Sequence, residues 1–164
     1  MPLYGRALPR GMSFWHPVCL FSTWFGIGLI PGAPGTWGSL AALPIAWLTV
    51  THYGITGLIA LGIGIFIVGC WSSSIFARRT SDNDPGSIVI DEVAAQCLVL
   101  TAVPPTLEYY AAACAMFRLT DILKPWPASW ADRAIKGGVG IMLDDIFAGA
   151  YAWALIYGIY LLLN

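Results

Sequence analysis

The stretch ITGLIALGIGIFIVGCWSSSIFA, from Ile55 to Ala77, carries no charged residue. About 20 predominantly apolar residues cross a bilayer as a helix, so this run is long enough to span one. A second run, Ile146 to Leu163, reaches the lower end of that length. Three others, Leu40 to Val50, Val93 to Val103 and Leu107 to Leu119, are helical but shorter. They span by extending into polar flanks, or pack at partial depth. The composition agrees: 58% hydrophobic, 10% charged and a mean hydropathy of +0.73, where soluble chains are about a quarter charged. No alternating strand pattern appears. The expectation is an all-α, membrane-embedded bundle of about five helices, some shorter than a full span. With 164 residues, residues 1–20 read as an N-terminal tail and 21–164 as one domain.

Punctuation divides the runs. Phe21 to Ile30 is a short or re-entrant apolar piece broken by Pro31-Gly32-Ala33-Pro34-Gly35, after which a helix is expected near Ser39. Thr51 to Gly54 turns the chain into the first long span, and Asp82-Asn83-Asp84-Pro85-Gly86 is turn chemistry. Asp91 and Glu92 open a helix that Pro104-Pro105 ends. Pro125 and Pro127 then force the chain out of the next one. From Trp126 to Gly140 a loop with a short surface helix is expected, and the last long helix should begin near Asp144 or Asp145.

All Lys and Arg residues fall in the tail (Arg6, Arg10), after the first long span (Arg78, Arg79), or between Arg118 and Lys136. The turns at His52-Tyr53 and Pro104-Pro105 have none. The positive-inside tendency therefore puts the basic segments on the cytoplasmic face and the bare turns opposite. A net charge of -1 without a basic run excludes general nucleic-acid binding. No apolar leader with a cleavage site precedes the first motifs, so a cleaved signal peptide is not expected. Cys19, Cys70, Cys97 and Cys114 form no Cys-x-x-Cys pair and read as buried thiols.

Chemistry concentrates in Arg118, Asp121, Lys124, Asp132, Arg133, Lys136, Asp144 and Asp145. Charges near lipid are costly and mark sites. Asp91-Glu92 and Asp144-Asp145 would each complement a helix N-terminus, an effect of about 0.3–1 kcal/mol. Together with Asp121 they also bring five carboxylates to one membrane face, where mutual repulsion calls for a shared divalent ion. Without Cys or His in the clusters, that ion is magnesium rather than zinc. Asp84 is a further candidate ligand. Arg118, Asp121 and Lys124 lie three apart along one side of a helix, as a salt-bridge ladder or as phosphate neutralisers around a metal ligand. Lys124 stands at the exit set by Pro125. Pro34-Gly35-Thr36-Trp37-Gly38-Ser39 presents N–H groups and hydroxyls to an anion, or is a tight turn capped by Ser39. It lacks the Lys and spacing of a nucleotide loop. Gly137-Gly138-Val139-Gly140 is a flexible connection or a place for close approach of a headgroup.

The motifs Phe117-Arg118-Leu119-Thr120-Asp121-Ile122-Leu123-Lys124-Pro125-Trp126-Pro127 and Gly137-Gly138-Val139-Gly140-Ile141-Met142-Leu143-Asp144-Asp145 resemble the phosphatidylglycerophosphatase A family. So do Gly86 to Glu92 and Pro34 to Ala42, and the resemblance covers nearly everything after Phe21. It implies a magnesium-dependent lipid phosphatase of the bacterial inner membrane that converts phosphatidylglycerol phosphate to phosphatidylglycerol and phosphate. On that reading Asp91, Glu92, Asp121, Lys124 and Asp145 are catalytic. Gly35, Thr36, Arg118 and Lys124 contact substrate, and Asp84, Asp91, Glu92, Asp121, Asp144 and Asp145 hold metal. Attack by water is the simpler route, with an aspartyl-phosphate intermediate the other. The competing classes are a small cation transporter, whose charges should line a mid-membrane route, and a non-catalytic membrane scaffold.

Overall fold

The computed structural model describes residues 8–80, 82 and 84–163, with residue 132 described by its backbone alone. Arg6 and Asn83 lie outside the described residues. Within them the chain forms six α-helices and no strand: α1 (Pro17–Ser22), α2 (Pro34–Thr80), α3 (Ile90–Leu100), α4 (Leu107–Leu123), α5 (Ala128–Ala134) and α6 (Gly138–Leu163). A 3-10 turn at Ile27–Leu29 links α1 to α2.

Three helix starts differ from expectation, the earliest being α1, which begins at Pro17 within the stretch read as tail and buries Val18 and Cys19. The first long helix starts at Pro34 rather than near Ser39, because proline is well suited to a first helical turn, where its missing N–H costs nothing. The last starts at Gly138 rather than near Asp144. Gly137, at φ 79, makes the entry bend, and Gly138 and Gly140, expected in a flexible connection, instead lie in the first turn of α6. A Cβ on Gly138 would overlap the Cys70 carbonyl, and one on Gly140 the Ile135 carbonyl, so these glycines buy close packing.

Helix α2 is interrupted at Gly54, which takes φ 67 and ψ -172. Gly35 and Gly38, before the break, lie against Glu92 and Val89, and Gly69, after it, lies against Ile90 and Met142. The start of the first leg and the middle of the second therefore both lie beside the start of α3, and Gly62 against Cys97 carries the second leg down α3 from Gly54 at the far end of the bundle. Each leg is roughly 30 Å or longer, at 1.5 Å per residue, which matches a bilayer core. Helix α3 then leaves this end, α4 returns to it, and α6 leaves again. The Trp153 indole N–H of α6 donates to Thr101 Oγ1 at 2.9 Å where α3 finishes.

Small residues set the packing distances. Ala42, Ala46, Ala94, Ala95, Ala113, Ala148 and Ala152 are all buried, and Gly149 sits opposite the Ala95 methyl. Such contacts let backbones approach closely where lipid offers no hydrophobic drive for helix association. The outer surface is apolar instead. Ile55, Ile59, Ile63, Ile67 and Trp71 recur every fourth residue and are all about half exposed, a stripe suited to lipid rather than water. Helix α6 shows the same on Tyr151, Leu155, Ile159 and Leu162.

A candidate active site at the polar end of the bundle

Asp91 and Glu92 stand in the first turn of α3, and Asp91 Oδ1 accepts the Glu92 N–H at 3.1 Å. Asp144 and Asp145 are buried on α6, one turn and more past its start, with no acidic residue in its first turn. The helix dipole therefore does not account for the second pair, since its effect fades within the first turn. Close packing of α3 on α6 brings one carboxylate oxygen each from Asp91, Glu92 and Asp145 within 4.8 Å of one another. Burial pushes Asp91, at the head of α3 and outside the two long helices, up to about 6. Burial first, and then the Asp91 charge, push Glu92 well above the usual carboxylate range.

Glu92 Oε2 and Asp145 Oδ2 are buried without a hydrogen-bond donor among the described residues. Leaving such acceptors unmet is costly. The set is all oxygen, with no thiol or imidazole, and a hard divalent cation such as magnesium fits it.

Two cations pair with the acids at and next to this trio. Arg118 Nη1 lies 2.8 Å from Asp121 Oδ2 and 3.7 Å from Glu92 Oε1. Lys124 Nζ donates to Asp144 Oδ2 at 2.6 Å. Lys124 is the C-cap of α4 with a left-handed φ of 40, so Pro125 follows a helix exit as expected. Thr120 Oγ1 reaches the Ala148 carbonyl at 2.9 Å and ties that exit to α6. The structure thus gathers Asp91, Glu92 and Asp145 and places Asp121 and Asp144 in ion pairs at their edge. Asp84 stands on the wall of a neighbouring cavity and is near enough to raise the cost of ionising Asp91.

Gly35 is buried in the first turn of α2, where a Cβ would overlap Glu92 Oε1 and come within 2.9 Å of Arg118 Nη1. Thr36 is half-buried beside it. Ser39 does not cap the helix, because its hydroxyl donates to the Gly35 carbonyl at 2.9 Å inside α2.

The sequence reading gave no role to Ser72, Ser73 or Gln96. All three are fully buried, with side-chain polar atoms that find no partner among the described residues. Gln96 follows Glu92 by one turn of α3, and its polarity within an apolar helix was the available signal. Arg133 and Lys136 likewise have no role in the sequence pattern alone. They line a cavity of about 300 Å³ together with Asp84, Gly137, Gly140 and Asp144.

Fold and site together define a membrane-embedded helical protein with an end where buried acids meet Arg and Lys. The chain belongs to the phosphatidylglycerophosphatase A family, whose model matches residues 20–160, and it is a lipid phosphatase. A phosphatidylglycerophosphatase A from Haemophilus influenzae is 36% identical over 92% of this chain and 93% of its own length. One from Escherichia coli K12 is 38% identical over 87% of this chain and 81% of its own. A relative from Bacteroides thetaiotaomicron, provisionally named a phosphatidylinositol-3-phosphatase, is 37% identical over 84% and 89%. No solved structure matches the chain. Family membership sets the transporter and scaffold readings aside.

Proposed function

We propose that this enzyme hydrolyses phosphatidylglycerol phosphate to phosphatidylglycerol and inorganic phosphate, at the cytoplasmic face of the bacterial inner membrane and with magnesium. The observation that carries this reading is the meeting of Asp91, Glu92 and Asp145 beside Arg118 and Lys124 in a chain of this family. Asp91, Glu92 and Asp145 would hold the ion. When bound, it supplies Lewis-acid polarisation of phosphoryl oxygens and a lowered pKa for water.

The remaining chemistry belongs to the side chains. In the overall hydrolysis an oxygen from water bonds to phosphorus, the bond from phosphorus to the glycerol oxygen breaks, and that oxygen takes a proton. Negative charge on the phosphoryl oxygens is neutralised by Lys124 and Arg118, whose orientations are set by Asp144 and Asp121. Lys124 leaves α4 at a fixed cap, so its ammonium is held in position before substrate arrives. Gly35 leaves the space that Glu92 and Arg118 occupy, and Thr36 offers a hydroxyl at the start of α2.

The test is phosphate release by the purified protein in detergent, with and without magnesium. The substrates are phosphatidylglycerol phosphate, phosphatidic acid and phosphatidylinositol 3-phosphate. Magnesium-dependent release, fastest from phosphatidylglycerol phosphate, is the expected result. Preference for either other lipid would reassign the substrate, and magnesium-independent release would remove the ion.

A further inference from the structure

The cavity beside the acids has walls of both signs. Arg133 and Lys136 line it from the end of α5 and the link to α6, Asp84 from the loop before α3, and Asp144 from α6. Asp144 is shared, since its Oδ2 also takes the Lys124 ammonium at 2.6 Å. One carboxylate therefore separates the cation proposed to meet the reacting phosphate from a second basic pair. Gly140 keeps the Ile135 carbonyl directly against α6, which fixes where that link runs.

At about 300 Å³ the cavity is at the lower end for small-molecule sites, and it is too polar for an acyl chain. A glycerol phosphodiester suits it. Its phosphate is an anion for Arg133 and Lys136, and its hydroxyl is a donor for Asp84. Resting on the phosphatase reading, we propose that this cavity binds the non-reacting half of the headgroup. The bridging phosphodiester sits between Arg133 and Lys136 while the terminal phosphate lies at Lys124 and Arg118. The enzyme thereby selects lipids with two phosphates, one glycerol apart, over lipids with one.

Both basic side chains are exposed, so Arg133→Gln combined with Lys136→Gln should fold normally. The experiment measures phosphate release from phosphatidylglycerol phosphate in neutral-detergent micelles, with two inhibitors. Phosphatidylglycerol carries the diester alone, and inorganic phosphate resembles the reacting group alone. In the double variant the inhibition constant for phosphatidylglycerol should rise roughly tenfold or more relative to that for phosphate, as expected for losing contacts to a charged group. Equal changes in both constants, or none, would overturn the proposal, as would a wild type insensitive to phosphatidylglycerol. A wild type that releases no phosphate at all would sink the underlying phosphatase reading and this one with it.

Discussion

Lys124 Nζ lies 2.6 Å from Asp144 Oδ2, joining the exit of α4 to the buried second turn of α6. The lysine side chain is about one-third exposed and the aspartate nearly buried, so the pair matters more to the acid than to the base. Lys124→Ala should lower kcat on the order of a hundredfold to a thousandfold, the scale seen when one donor to a transition-state oxyanion is removed. It should also cost about 1–3 kcal/mol, because Asp144 loses its cation. Adding Asp144→Asn should recover stability in thermal melts without recovering turnover. If activity returned with stability, Lys124 would be structural.

The three converging carboxylates make a narrower statement about metal than the full set of acids. Chelation should abolish phosphate release, and magnesium should restore it. Asp91→Asn, Glu92→Gln and Asp145→Asn should each raise the magnesium concentration for half-maximal activity at least tenfold, with helical content unchanged. Asp121→Asn should shift it less, because Asp121 is engaged by Arg118 at 2.8 Å. Magnesium titrations of the four variants check this, and an equal shift for Asp121→Asn would restore the wider ligand set.

Much of this was legible in the sequence because it is local. Pro125 marks the Lys124 exit, Asp91-Glu92 follows a turn-rich loop, and long apolar runs separate the polar segments. The start of α6 was not legible. Glycine costs only about 1 kcal/mol in a helix, and the contact that outweighs it here, against the Cys70 carbonyl and Ser74, comes from a helix far away in sequence. The partners of Lys124 and Arg118 were hidden for the same reason. Spacing places Asp121 one turn from Arg118, but only the packing of α4 on α6 brings Asp144 to Lys124. The cavity at Arg133 and Lys136 depends on that packing too.

The bundle sends Gly54 to the end opposite the acids, which makes the sidedness testable. Tyr53 is exposed at that far turn, and Ser129 lies on α5 one turn before Arg133, which lines the cavity beside the acids. With the positive-inside tendency, Cys introduced at Tyr53 should react with an impermeant maleimide in intact cells. Cys at Ser129 should react only after permeabilisation. The reverse pattern would place the site outside.

Gly35 offers the sharpest separation of packing from chemistry, because it carries no functional group yet touches two residues that do. Its hypothetical Cβ would overlap Glu92 Oε1 and crowd both terminal nitrogens of Arg118. Its own backbone is helical, so alanine there should favour α2 by roughly 0.5–1 kcal/mol rather than strain it. Forcing a methyl into a packed position costs about 1–3 kcal/mol, which leaves the bundle folded but moves the Glu92 carboxylate. Gly35→Ala should therefore melt within a few degrees of wild type, lose most of its turnover, and need more magnesium. Gly64, which has open space around its Cβ position, is the control, and Gly64→Ala should keep activity. Full activity in Gly35→Ala would show that Glu92 has room to shift, and would remove it from the metal set.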